Sequence, residues 1–168
     1  MTLEQQKQVF ESWLKQHKAL LFKVVRAYAF TNQDQEDLFQ EITLQIWESI
    51  NNYRSKSSES TWIYKVSLYT AMAWSRSEKK RQKTLQSWRQ QVEWLKHGEE
   101  QDPQLDWLYR QIQQLDPMDR SMLLLLLEGY SYSEMSSILG ISQSNVGVKI
   151  NRIKKQFINR LTQEPYEF

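Results

Sequence analysis

Residues 131–157, SYSEMSSILGISQSNVGVKINRIKKQF, decide how the chain is read, because each position has a physical job in two helices joined by a tight turn. The spacing predicts a first helix from Ser133 to Leu139, capped by Ser133, with Met135, Ile138 and Leu139 facing inward. Gly140 suits the turn, since glycine takes up left-handed backbone at little cost. Ser142 then caps a second helix, expected to run to about Leu161, in which Val146, Ile150, Ile153 and Phe157 recur at helical spacing and face a core. The other face keeps Gln143, Ser144, Asn145, Lys149 and Arg152. Short polar side chains at the amino end of a second helix, followed by cations, fit a major-groove reader anchored on phosphates. An ordinary helical hairpin with a solvated basic face would share the turn, but not the coincidence of cap, core spacing and basic tract.

Upstream, Leu105 to Leu115 reads as a short amphipathic helix, and Asp116-Pro117 opens another that runs MDRSMLLLLLEG and ends at Gly129. The tract HGEEQDPQ, residues 97–104, combines glycine, proline and charge and is expected to be a linker between domains 1–96 and 105–168. Before it, Val9, Phe10, Trp13, Leu14, His17, Leu20, Leu21, Val24, Val25 and Tyr28 recur at three and four, the mark of one helix with a buried face. A second helix is expected from Asp34 to about Ile50, with Leu38, Ile42, Ile46 and Ile50 on one stripe and an acidic first turn suited to the helix dipole. NNYRSKSSES, residues 51–60, is polar and turn-rich and reads as a loop. From about Thr61 a third helix places Trp62, Val66, Tyr69, Thr70 and Ala73 on one face, and nothing breaks it decisively before Lys96. With four glycines and three prolines in 168 residues, the expected class is all-α: two small helical domains joined by a linker.

The charges are sorted along the chain, so the net charge of +2 hides strong local fields. Asp34, Glu36, Asp37, Glu41 and Glu48 form a purely acidic stretch, which suits a basic protein partner. Arg76, Lys79, Lys80, Arg81, Lys83 and Arg89 form a basic tract interrupted only by Glu78, and Lys149, Arg152, Lys154, Lys155 and Arg160 form another. Both suit a polyanion.

Other classes find little support. Without cysteine there is no disulfide and no thiolate metal site, and a reducing compartment is the natural home. The start MTLEQQKQVFESW lacks the pattern of a secretory signal, and Met122 to Leu127 is too short to span a bilayer, so a cytoplasmic protein without membrane insertion is expected. Gly98, Gly129, Gly140 and Gly147 form neither a phosphate-cradling loop nor a nucleophile elbow. His17 and His97 stand far apart with no ligand set, and His17 is expected to pack. Glu99, Glu100 and Asp102 keep the linker solvated. No catalysis, cofactor or metal is expected.

Taken along the whole chain, the motifs resemble a known family. DQEDLFQEITLQIW resembles region 2.2 of the sigma-70 superfamily of RNA polymerase sigma factors in Asp37, Leu38, Gln40, Glu41 and Trp47. STWIYKVSLYTAMAWSRSEKKR is similar to the helix of regions 2.3 and 2.4, and LDPMDRSMLLLLLEGYSYSEMSSILGIS to region 4.1 running into 4.2. The resemblance covers about residues 10–80 and 105–160 and is to the extracytoplasmic-function (ECF) group, which keeps only regions 2 and 4. Family members usually carry Asn and Asp where this chain has Tyr69 and Ala73, and often a lysine at Gly147; the scaffold pattern is intact.

The resemblance implies an alternative sigma factor, with core RNA polymerase and promoter DNA as partners and an anti-sigma factor as inhibitor. It implies that Asp37, Gln40, Glu41 and Trp47 dock on the clamp helices of the largest polymerase subunit. An acidic face beside an exposed tryptophan resembles an interface anchor, with Trp47 as a plain core residue the competing reading. Melted bases need stacking surfaces and nearby cations, which Tyr53, Arg54, Lys56, Trp62 and Lys65 would supply at the minus-ten element. Arg76, Lys79, Lys80 and Arg81 would hold phosphates there, against the plainer reading of a solvated basic helix. Ser142, Gln143, Ser144, Asn145 and Lys149 would enter the minus-thirty-five major groove, with Arg152, Lys154 and Lys155 on its backbone. The first rival is a conventional helix-turn-helix regulator, which binds duplex DNA alone, usually as a symmetric dimer. The second is a helical adaptor for proteins or RNA, against which the capped recognition helix argues.

Overall fold

The computed structural model describes residues 1–89 and 102–163, with the backbone alone for residues 78–89. The chain falls into two compact units, residues 1–96 and 97–168, and the described residues of both are helical, without strands.

The first unit holds α1 (Leu3–Gln16), α2 (Lys18–Tyr28), α3 (Asn32–Ser49), a 3-10 turn (Ile50–Asn52) and α4 (Glu59–Arg89). Thr2 and Gln5 close a reciprocal cap on α1: the Thr2 hydroxyl accepts the Gln5 N–H at 3.2 Å, and the Gln5 side chain accepts the Thr2 N–H at 2.9 Å. The apolar run from Val9 to Tyr28 makes two helices, not the single one expected. His17, at φ −109° and ψ 16°, ends α1 and starts α2. A periodic pattern is blind to a break that preserves its phase, and this one does: Trp13, Leu21, Val24, Val25 and Tyr28 are all buried.

Helix α3 starts two residues before the expected Asp34, because the Thr31 hydroxyl accepts the Asp34 N–H at 3.1 Å and so opens the helix at Asn32. The stripe of Leu38, Ile42 and Ile46 on α3, continued by Ile50 of the 3-10 turn, is at most 2% exposed, and each such burial contributes roughly 1.5–3 kcal/mol relative to exposure. Among the described side chains of α4 the buried ones are Ile63, Tyr64, Ser67, Leu68, Ala71, Met72 and Ser75. The stripe of Trp62, Val66, Tyr69, Thr70 and Ala73 lies on the more open side, half-buried at 62, 66 and 70 and exposed at 69 and 73. Ser67 can enter the core because its hydroxyl donates to the Ile63 carbonyl at 2.7 Å.

The second unit holds α5 (Pro103–Gln113), α6 (Pro117–Leu127), α7 (Tyr132–Leu139) and α8 (Gln143–Gln163). Helix α5 begins inside the stretch expected as linker, since the Asp102 carboxylate accepts the N–H groups of Gln104 at 3.0 Å and Leu105 at 3.4 Å. Asp116 caps α6 in the same way, accepting the Asp119 N–H at 2.9 Å. Between these helices the buried Arg120 donates through Nε to the Leu115 carbonyl and through Nη2 to the Gln113 carbonyl, both at 2.8 Å. These bonds satisfy acceptors that the end of α5 leaves open. The cap of α7 is Ser131 in place of the expected Ser133: the Ser131 hydroxyl accepts the Glu134 N–H at 3.1 Å, while Ser133 is exposed within the first turn. Gly140, at φ +69°, makes the left-handed turn into α8, and its N–H donates to the Ser136 carbonyl at 2.9 Å.

Candidate nucleic-acid and polymerase interfaces

In the first unit, the loop after the 3-10 turn is folded against α1 and α4 by three aromatic rings. The centroids of Trp13, Tyr53 and Trp62 lie 5.3 to 5.6 Å apart, and Trp13, at 5% exposure, is the buried member. The Tyr53 hydroxyl donates to the Ser57 carbonyl at 2.7 Å, and the Arg54 guanidinium to the Asn51 carbonyl at 3.0 Å. Tyr53 and Trp62 are therefore half-buried anchors of the loop, while Arg54 and Lys56 are exposed on it. Beside the loop lies an open groove of about 780 Å³, lined by Gln8, Ser12, Trp13, Gln16, Tyr53 and Arg54 among others.

Along the open side of α4, Lys65, Tyr69, Ala73 and Arg76 are exposed at helical spacing. The Lys65 ammonium lies 5.9 Å from the centroid of the Tyr69 ring, which is 42% exposed. Tyr69 is absent from the candidates drawn from sequence, although an aromatic one helical turn after Lys65 and two turns before Arg76 was a readable signal. Lys79, Lys80 and Arg81 fall on α4, but their side chains lie outside the described residues.

On α3, Gln40, Glu41, Leu44 and Glu48 are exposed, and Asp37 is half-buried, accepting a hydrogen bond from Gln33 at 2.9 Å. Trp47 is not the exposed anchor expected from sequence. It is half-buried, meets Phe10 edge-on at 5.2 Å, and its carbonyl accepts a hydrogen bond from the Gln6 side chain at 2.9 Å. Its ring thus ties α1 to α3. The exposed apolar residue of the acidic face is Leu44, 48% exposed. Its position off the stripe of Leu38, Ile42 and Ile46 was the signal for it.

In the second unit, Val146, Ile150 and Ile153 bury one face of α8, and Phe157 meets Trp107 edge-on at 6.3 Å. The Ser142 hydroxyl accepts the Asn145 N–H at 3.1 Å and so spends itself on capping. Gln143, Ser144 and Asn145 are exposed at the amino end. Opposite the buried stripe the order is Ser144, Val148, Asn151 and Lys155, all exposed, with Val148 at 68%. Val148 and Asn151 are additions to the candidates drawn from sequence. An exposed apolar side chain there can meet a thymine methyl, and an asparagine can pair with adenine. Lys154 is exposed beside them. Lys149 and Arg152 instead meet the buried Asp119 of α6: Arg152 Nη2 donates to Oδ2 at 2.7 Å, and Lys149 Nζ lies 3.7 Å from Oδ1.

Among the described residues no cluster of His, Asp and Glu could hold a metal ion, and no helix is long and apolar enough to cross a membrane. The arrangement offers two cationic surfaces, one acidic surface and a capped helix with a polar amino end, which are the parts of a nucleic-acid reader that also docks on a protein.

Comparison with known proteins agrees with this geometry. The family model for sigma-70 region 2 matches residues 7–81, and that for sigma-70 region 4 matches residues 105–157. The ECF RNA polymerase sigma factor SigX of Bacillus subtilis (strain 168) is 25% identical over 120 residues, which span 66% of this chain and 62% of SigX. Two solved structures share the fold at 15% identity. The sigma factor RpoE, in complex with the anti-sigma factor NepR from Bartonella quintana, superposes with a TM-score of 0.69 over 91% of this chain and 96% of that one. CnrH, in complex with the cytosolic domain of CnrY, does so with a TM-score of 0.64 over 94% and 90%. Taken together, the two matched stretches span most of the chain in the order region 2, then region 4, and the chain belongs to the sigma-70 family, in its ECF group.

Proposed function

We propose that this chain is an alternative sigma factor that binds core RNA polymerase and directs promoter recognition, promoter melting and the start of transcription. The observation that carries the proposal is the capped helix α8, buried along Val146, Ile150 and Ile153 and presenting Ser144, Val148, Asn151 and Lys155, in one chain with the exposed cationic stripe of α4. In this reading Gln143, Ser144, Asn145, Val148 and Asn151 read the minus-thirty-five groove, and Lys154 and Lys155 meet its phosphates. Arg54, Lys56, Lys65, Tyr69 and Arg76, with Lys79, Lys80 and Arg81 farther along α4, hold the minus-ten strand, and the Trp13–Tyr53–Trp62 cluster sets the loop that receives its bases. Asp37, Gln40, Glu41 and Leu44 dock on the polymerase, an acidic rim around an apolar centre. None of these steps makes or breaks a covalent bond, so the chain acts without catalysis or cofactor, and its place in this reading is the cytoplasm, beside core polymerase and promoter DNA. An anti-sigma partner fits the same surfaces; of the two structural neighbours, RpoE was solved with the anti-sigma factor NepR bound and CnrH with the cytosolic domain of CnrY.

The test is co-purification with core polymerase, followed by transcription from a promoter library with and without the chain. Core binding with new promoter-specific starts supports the proposal. Tight duplex binding by the chain alone, without core binding, would return the conventional regulator.

A further inference from the structure

Helix α8 carries the cations Lys149, Arg152, Lys154, Lys155 and Arg160, and the second unit spends three of them on itself. Arg160 donates to the Gln111 side-chain oxygen at 3.1 Å and lies over the Phe157 ring. Arg152 and Lys149 converge on Asp119, which is 4% exposed in the first turn of α6 and whose N–H is held by the Asp116 carboxylate. The Arg152 contact, at 2.7 Å, is a short charge-assisted hydrogen bond that holds the guanidinium on Asp119 although the side chain is 49% exposed. The Lys149 contact, at 3.7 Å, is an ion pair too long for a hydrogen bond, and Asp119 Oδ1 accordingly has no hydrogen-bond partner among the described residues. For Lys154 and Lys155, both exposed, the described residues provide no ion pair.

We propose that Asp119 is a positioning residue of the DNA-reading helix, holding Arg152 and Lys149 within the fold and leaving Lys154 and Lys155 as the phosphate contacts of α8. The inference rests on the sigma-factor reading above. A DNA phosphate that drew Arg152 away would leave the buried Asp119 carboxylate without its one hydrogen-bonded cation and with only the longer Lys149 ion pair, whereas the phosphate Arg152 would gain is already well hydrated. The exchange is unfavourable, so the cations stay with Asp119. Two consequences follow for function. The helix is fixed in its rotation about the Val146–Ile150–Ile153 stripe by an ion pair as well as by packing, which aims Ser144, Val148 and Asn151 outward. The charge facing DNA is also trimmed, which weakens sequence-independent binding by the chain alone and leaves promoter engagement dependent on the polymerase.

Salt dependence separates these cations, because each phosphate contact on duplex DNA adds about 0.9 to the slope of log K against log salt. The measurement is binding of holoenzyme, assembled from core polymerase and the full chain, to a promoter fragment over a potassium chloride series. The full chain alone on a mixed-sequence duplex is read in parallel. Lys154→Gln and Lys155→Gln are each expected to lower the slope by about 0.9. Arg152→Gln and Lys149→Gln are expected to leave it within error. Asp119→Asn is expected to steepen it by about one to two, as freed cations reach phosphate, and to reduce discrimination among minus-thirty-five variants. A loss of about 0.9 in Arg152→Gln or Lys149→Gln overturns the proposal, as does an unchanged slope in a folded Asp119→Asn chain. Should Asp119→Asn not fold, the Arg152 and Lys149 variants decide alone. Failure of holoenzyme to form would count against the sigma-factor reading, while the duplex series still reads the role of Asp119.

Discussion

Trp13 shows how one buried side chain can serve a site by holding its exposed parts in place. It is 5% exposed on α1, and Tyr53 and Trp62 pack on it from the loop and from α4. Trp13→Ala should cost about 3–5 kcal/mol in unfolding free energy, because the cavity cannot be refilled by two rings that also support each other. Under conditions where the variant remains folded, promoter opening should fall more than binding to fully duplex promoter DNA, measured by permanganate reactivity of unpaired thymines and by anisotropy. Equal losses in both would show that the loop is not set by this cluster. Sequence periodicity placed Trp13 on an apolar stripe but gave no sign of its ring partners, since the contact joins residues 13, 53 and 62 across three separate segments. For Trp47 the sequence left an open anchor and a core residue as rival readings, and the edge-on contact with Phe10, far away in sequence, leaves it half-buried between them.

At the scale of the element, end signals decide where helices start, and they compete. Ser131 and Ser133 are both good caps, but only Ser131 has an acid three residues on, Glu134, whose N–H donates to the Ser131 hydroxyl and whose carboxylate accepts from that hydroxyl, each at 3.1 Å. Ser131→Ala should therefore destabilise the second unit by about 1 kcal/mol, against little for Ser133→Ala, in thermal melts followed by circular dichroism. A larger loss at Ser133 would contradict this cap. The rule was legible in the sequence as Ser-x-x-Glu and outweighs the proximity of Ser133 to the apolar run. The burial stripes of α3 and α8 were legible too, because one face of each is uniformly apolar. The break at His17 was not, because both helices keep the same phase across it. Nor could hydropathy alone rank the sides of α4, where aromatic and small residues occur all round.

The acidic face of α3 is an element-scale proposal with its own test. Gln40, Glu41, Leu44 and Glu48 are exposed and spend nothing on the core, so Leu44→Ala and Glu41→Lys should leave the melting temperature of the chain nearly unchanged. Both should weaken binding to core polymerase, the truncation by about 1–2 kcal/mol, or roughly tenfold, as expected for an apolar centre inside a charged rim. Biolayer interferometry against core polymerase reads this directly. Unchanged affinity in both variants would remove α3 from the docking surface.

For the whole molecule the quantity to measure is how strongly one reader helps the other through the segment that joins them. Residues 97–101 separate Lys96, the last residue of the first unit, from the capping Asp102 that opens α5. We expect them to act as the tether that presents α8 to DNA once the first unit is engaged. Doubling this stretch with glycine and serine should lower the effective concentration of the second reader about threefold, following the −3/2 power of tether length. The cost to promoter affinity is then about 0.6 kcal/mol, and it should be accompanied by a broader tolerance of the spacing between the two promoter elements. Transcription from a set of promoters differing only in spacer length measures both. A flat response to tether length would mean that each unit is placed by its own polymerase contact, so that the segregated charges of the chain act as two independent footings instead of one linked reader.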